Sequence, residues 1–190
     1  HEMREGRFDG KKRPPRALTE KRRLSHSQPL FCYSLGGIAV QHKGTCTLET
    51  QRLILRRFVP EDAQAMYDNW ASDPEVTKYL MWPTHASVDV SRWVLEDWCR
   101  QYEKPDYYQW AIVLREIGQP IGSIAVVEHD DRTAKAHVGY AMGRSWWHRG
   151  IMTEALQAVM DFLFDEVGMR RIEARHDPRN PNSGGVMKKC

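Results

Sequence analysis

Cysteine is scarce: Cys32, Cys46, Cys99 and Cys190 are the only four in 190 residues, scattered and without a Cys-x-x-Cys spacing. That excludes a disulfide scaffold and argues against a cysteine-held zinc, and the sequence leads us to expect no metal. Long apolar runs are also missing. None approaches the roughly 18 residues that a membrane span needs, and the N-terminus lacks the charged-then-apolar pattern of a secretory leader. The expected setting is therefore a reducing cytoplasm. No internal repeat and no Cys-His nucleophile pair is present. What remains, 41% hydrophobic and 28% charged residues, is the make-up of one water-soluble globular domain.

Charge is unevenly divided. Residues 1–46 hold ten Lys/Arg against four Asp/Glu, whereas residues 47–190 hold eighteen against twenty-one. The basic stretch Lys11-Lys12-Arg13-Pro14-Pro15-Arg16 and Lys21-Arg22-Arg23 precedes turn-prone Ser25-His26-Ser27-Gln28-Pro29. A disordered extension over 1–46 ahead of a domain over 47–190 is expected, dispensable for folding. A phosphate-backbone contact through the tail is the alternative.

Within 47–190, Leu53 and Leu55 alternate with Arg52, Ile54 and Arg56 as a half-buried strand does. Pro60-Glu61-Asp62 opens a helix carrying Ala63, Met66, Tyr67 and Trp70, and Asp73-Pro74 ends it. A second helix runs from an N-cap at Ser87 to about Tyr102, with Val90, Val94, Leu95 and Trp98 on its inner face. Gln109–Leu114, Ile121–Glu128 and Ala134–Met142 then read as consecutive hairpin strands, divided by turns at 117–120 and 130–132. An amphipathic helix with Leu156, Val159, Met160, Leu163 and Val167 ends at Gly168. A strand over 170–175 and a last helix entered through Asn180-Pro181-Asn182-Ser183 complete the pattern.

Chemistry concentrates between 140 and 156. A strand ends, a loop bounded by Gly143 and Gly150 follows, and a helix begins at once, aiming unpaired amides and the positive helix end at one place. That arrangement suits a pyrophosphate, with Arg144 and Arg149 as rim charges; an ordinary strand-loop-helix junction with solvated arginines is the alternative.

Here the residues resemble a family. Trp147-His148-Arg149-Gly150-Ile151-Met152-Thr153-Glu154-Ala155 is similar to the coenzyme A motif of the GNAT N-acetyltransferases, most of all to the branch with the ribosomal-protein alanine acetyltransferases. Glu49-Thr50-Gln51-Arg52-Leu53-Ile54-Leu55-Arg56, Ile121-Gly122-Ser123-Ile124, His137-Val138-Gly139-Tyr140 and the segment from Asn180 to Cys190 resemble further landmarks of that family, in order. Met152 stands where the general motif has Gly or Ala, and His137 where many relatives have Glu.

The resemblance implies an α/β fold with a mixed, mostly antiparallel central sheet flanked by helices, whose strands 134–142 and 170–176 splay apart. It implies acetyl-coenzyme A as cosubstrate, lying against the first of those strands, and direct attack of a primary amine on the thioester. Cofactor contacts are expected from Ala141, Met142, Arg144, Trp147, His148, Arg149, Gly150, Ile151, Met152, Thr153, Asn180 and Ser183. His137 is the expected base and Glu128 its alternative, with an oxyanion donor in the Tyr140 to Met142 backbone. The family pattern continues into two more strands beyond Cys190, so the 170–175 strand is expected to have an open edge. A ribosomal-protein N-terminus, another peptide amine, a polyamine and an aminoglycoside all remain open as acceptors, as does a homodimer. The competing classes are a non-catalytic acyl-CoA-binding module and a nucleic-acid module built on the basic tail, which the net-negative domain does not favour.

Overall fold

The computed structural model describes residues 4–9 and 39–190. Among the described residues, seven strands form one sheet: β1 (Arg4–Asp9), β2 (Leu48–Glu49), β3 (Leu53–Arg56), β4 (Gln109–Leu114), β5 (Gln119–Asp130), β6 (Lys135–Met142) and β7 (Arg171–His176). Their order is β1-β7-β6-β5-β4-β3-β2, antiparallel throughout except between β6 and β7. That parallel step needs a crossover, and α4 (Ile151–Phe162), prolonged by a wide turn over Leu163–Val167, supplies it.

The expected strands are present within a residue or two at each end. On β3, Leu53 and Leu55 are buried while Ile54 and Arg56 are partly exposed, as alternation requires. α4 buries Ala155, Leu156, Val159 and Met160 against one face of the sheet, opposite Trp110, Ile112, Ile124 and Val138. The second face carries α1 (Ala63–Met66), α2 (Pro74–Thr77) and α3 (Val88–Gln101), with Met66, Trp70 and Leu95 packed on Ala111, Val113 and Ala141. Trp110 and Tyr108 are core residues, whereas Trp93 is 67% exposed.

The helical face differs from expectation in two places. Asp73 does not simply end α1: its carboxylate accepts from the Glu75 amide at 2.9 Å and so caps the short α2. In α3 the inner face is rotated, because buried Ser91 pairs with His85 Nδ1 at 2.8 Å and leaves Val90 at the surface. One polar pair thus outweighs one valine.

The boundary near residue 47 also moves. Residues 39–46 pack on the domain: the Gln41 amide donates to the Val167 carbonyl and the Gly44 amide to that of Pro105. Thr45, 3% exposed, donates to the Tyr107 carbonyl at 2.9 Å and accepts from the Gln109 amide at 3.0 Å. The edge of β7 is not open either, since β1 pairs with it antiparallel from Arg4↔His176 to Asp9↔Arg171. The rest of the basic extension lies outside the described residues. Its expected dispensability therefore does not extend to 39–46. Thr45→Ala should leave the Gln109 amide unpaired in the interior and cost about 1–3 kcal/mol, read as a melting temperature lowered by several degrees. An unchanged melting temperature would mean that this segment adds nothing to stability.

Candidate active site

β6 and β7 pair only from Lys135↔Arg171 to Val138↔Ala174, after which they diverge. Beyond that point β6 remains bonded to β5 on its other side, through to Gly122↔Met142. The Gly143 amide donates to the Ile121 carbonyl, and peptide directions alternate along a strand, so those of Tyr140 and Met142 face the gap. The Met142 carbonyl there accepts from the Trp147 indole at 2.8 Å. Two N–H groups and the Tyr140 carbonyl are thus turned toward the cleft.

The loop that follows is shaped by two glycines with different tasks. A Cβ on Gly143 would lie 2.2 Å from the Asn69 carbonyl oxygen, so this position admits no side chain where the loop passes the wide turn Tyr67–Ala71 that follows α1. Gly150 has φ +71°, the left-handed conformation that β-branched residues avoid, and it starts α4. The first bond of the helix is from the Glu154 amide to the Gly150 carbonyl. The amides of Ile151, Met152 and Thr153 therefore have no partner inside the helix and point from its positive end.

A latch holds this turn in place. The Arg52 guanidinium donates to the Arg149 carbonyl at 2.9 Å and to Glu154 Oε2 at 2.7 Å. Glu154 Oε1 also accepts from the Thr50 hydroxyl at 2.6 Å and the Arg52 amide at 3.0 Å. Burial alone would raise the Glu154 carboxyl, but these donors and the Arg52 charge hold it below its ordinary range. Two sequence landmarks a hundred residues apart, Thr50-Gln51-Arg52 and Thr153-Glu154, are one device.

The resulting cleft encloses about 240 Å³ between β6, α4 and α5 (Pro181–Lys189). Of the residues expected from the sequence, Tyr140, Ala141, Met142, Trp147, His148, Gly150, Ile151, Met152, Thr153, Asn180 and Ser183 line it. The Tyr140 hydroxyl spans the gap, donating to the Ser183 carbonyl at 3.0 Å and accepting from its hydroxyl at 3.2 Å. Burial pushes that phenol up to about 12, so it stays protonated at neutral pH. Asn180 caps α5 by accepting from the Ser183 amide.

Four expected residues are not among those lining it. Arg144 turns to Asp73, at 2.6 Å, because a carboxylate there outcompetes solvent for its guanidinium. Arg149 is exposed and enters the site only through its carbonyl. His137 and Glu128 stand directly opposite each other at the root of the divergence, one residue before the last β6–β7 pair. Lining residues that the sequence reading missed are Val76 and Leu80 on the α1–α3 side, and Gly185, Asn182, Val186 and Lys189 on α5. The last three share a helix face with Ser183, since 182, 186 and 189 are spaced by four and three; that periodicity was the available signal.

The parallel strand pair thus splays beside the N-terminus of the crossover helix, with bare peptide groups on one lip and unpaired amides on the other. Residues 52–190 match the family profile of the acetyltransferase (GNAT) domain, and the chain belongs to that family. It is 33% identical over 137 residues to an uncharacterized N-acetyltransferase, p20, of Bacillus licheniformis, covering 72% of this chain and 76% of that protein. A GNAT-family acetyltransferase of Bacillus anthracis superposes with a TM-score of 0.65 at 22% identity, over 76% of this chain and 81% of the other. The ribosomal-protein-S5-alanine acetyltransferase of Vibrio fischeri does so with a TM-score of 0.65 at 19% identity, over 75% and 80%. At such identities these two structures speak for the fold alone.

Proposed function

We propose that the protein transfers acetyl from acetyl-coenzyme A to the primary amine of a peptide N-terminus in the cytoplasm. The observation that carries this reading is the divergence of β6 from β7 after Val138↔Ala174, directly beside the unpaired amides at the start of α4. Coenzyme A has two parts that match the two lips. Its pyrophosphate needs convergent N–H donors and a positive helix end, which Ile151, Met152 and Thr153 offer. Its amide-bearing pantetheine arm needs an extended strand edge with free donors and acceptors, which Tyr140 and Met142 offer.

With the thioester at the root of the cleft, the Tyr140 or Met142 amide is the donor for the tetrahedral oxyanion. The amine adds to the thioester carbon, a proton leaves the ammonium, and the thiolate departs as coenzyme A. His137 is the base we favour, with Glu128 across from it as the alternative. The amine side of the cleft carries Val76 and Leu80, apolar walls that suit a small-residue N-terminus better than a polycation. The peptide acceptor is also the activity named for the Vibrio fischeri relative.

The test is coenzyme A thiol release from acetyl-coenzyme A with four acceptors: peptides beginning with Ala or Ser, spermidine and an aminoglycoside. Turnover with the peptides, and at least tenfold less with the other two, is the expected result. Binding of acetyl-coenzyme A without turnover on any amine would make this a non-catalytic acyl-CoA module.

A further inference from the structure

Away from the cleft, the fold joins two histidines and an aspartate separated by as many as 89 positions. His42 belongs to the packed 39–46 segment, His129 to the end of β5, and Asp131 to the β5–β6 turn. Asp131 Oδ1 lies 3.0 Å from His42 Nε2 and 2.9 Å from His129 Nδ1. All three donor atoms fall within 4.8 Å of one another. We propose that they form a site for a divalent d-block cation of the zinc type, which pins the N-terminal segment to the β5–β6 turn.

The geometry is close to what such an ion requires. Tetrahedral coordination with bonds of about 2.0–2.1 Å sets donors about 3.3–3.4 Å apart. The two nitrogen–oxygen edges, at 3.0 and 2.9 Å, need to open by a few tenths of an ångström, well within side-chain freedom. Two imidazoles and one carboxylate select zinc, cobalt or nickel over magnesium and calcium, which want oxygen alone.

The atoms behind the donors are the more telling observation. A ligating imidazole works best when its other nitrogen is held by an oxygen, which fixes ring orientation and tautomer. The His42 ring has that partner, and the His129 ring has a carboxylate within ion-pair range of its second nitrogen. His42 Nδ1 is 2.9 Å from the Tyr108 hydroxyl, and His129 Nε2 is 3.6 Å from Asp106 Oδ2. Tyr108 is 1% exposed, and burial pushes its phenol up to about 12, so it remains a neutral partner. The ring centroids of His42 and His129 lie 4.7 Å apart, leaving both donor nitrogens on the Asp131 side. With neutral rings, Asp106 and Asp131 give the cluster a formal charge of −2, complementary to a dication. Asp130 does not compete, since its carboxylate is engaged by Thr133 and the Arg132 amide. Asp131, 53% exposed, leaves a fourth position to water.

The test is titration of the full chain with Zn²⁺ by calorimetry, with melting temperature followed in parallel and Co²⁺ used as a spectroscopic stand-in. One equivalent should bind and raise the melting temperature. His129→Gln and Asp131→Asn should each weaken binding at least tenfold, and the cobalt complex should show tetrahedral d–d bands without a thiolate charge-transfer band. Acetyl-coenzyme A binding should be the same with and without zinc, which separates this site from the cleft. Absence of saturable binding, a thiolate band, or unchanged affinity in both variants would overturn the proposal. So would a wild-type stability that responds to pH near the imidazole range and not to metal, because the cluster would then be a hydrogen-bonded clip alone.

Discussion

Gly150→Val should weaken acetyl-coenzyme A binding tenfold or more, about 1.4 kcal/mol, while the chain still folds. The cause is backbone conformation rather than crowding. At φ +71° an L residue pays about 1–2 kcal/mol, and a β-branched one more, yet the nearest atom to a new Cβ is Arg52 Nη2 at 3.7 Å. Relief of that strain rotates the 149–151 peptides, whose amides open α4. Gly150→Asn is the control, because Asn tolerates the left-handed region, and it should retain most of the affinity. Isothermal titration of both variants, alongside their melting temperatures, separates a misdirected cradle from a misfolded one. Equal affinity in Gly150→Val and the parent would remove the helix start from the cofactor site.

The Arg52 latch makes that expectation sharper. Because Arg52 binds the Arg149 carbonyl and Glu154 together, it holds the residue before Gly150 and the first turn after it as a unit. A backbone change at Gly150 is then resisted on both sides, and the strain goes into the peptides that face the cleft.

Much of this was legible in the sequence where local pattern and tertiary demand agree. The β3 alternation of Leu53 and Leu55, the apolar stripe of α4 and the glycine-bounded loop all serve one hydrophobic core and one helix start, so periodicity and turn chemistry report them directly. The parts that were not legible rest on contacts without period. β1, with the sequence Arg-Glu-Gly-Arg-Phe-Asp, shows no apolar alternation and joins the sheet through backbone pairing. Segment 39–46 is fixed by the polar contacts of Thr45, Gly44 and His42 to residues more than sixty positions away. The rotated face of α3 follows from one buried pair, His85 with Ser91, and burial lowers the His85 pKa so that the ring stays neutral in the interior. At the cleft, family motifs marked the α4 and β6 lips, but Val76 and Leu80 arrive from the opposite face and carry no motif.

His137→Gln should have the largest effect on turnover, on the order of a hundredfold in kcat/KM, with acetyl-coenzyme A affinity nearly unchanged. Alternation puts His137 on the same face of β6 as Ala141, which packs among α1 to α3, whereas the amides proposed to hold phosphate belong to α4 on the other face. The histidine is therefore on the face opposite the proposed phosphate cradle, at the point where the strands part. Its neighbours in the sheet are Glu128 on β5 and Glu173 on β7, the latter buried and engaged by Arg171 and Lys135. Since His137 is not among the cleft-lining residues, the proton is expected to pass through one bound water. If imidazole accepts it, kcat/KM rises with pH as the ring gives up its own proton, and the Gln variant loses that limb. One acceptor must serve for both proteins, because the amine's own ionisation produces a similar slope. A Gln variant that keeps both its rate and its pH limb would leave His137 a strand residue and turn attention to Glu128, whose exposed carboxylate would then be the next group to replace.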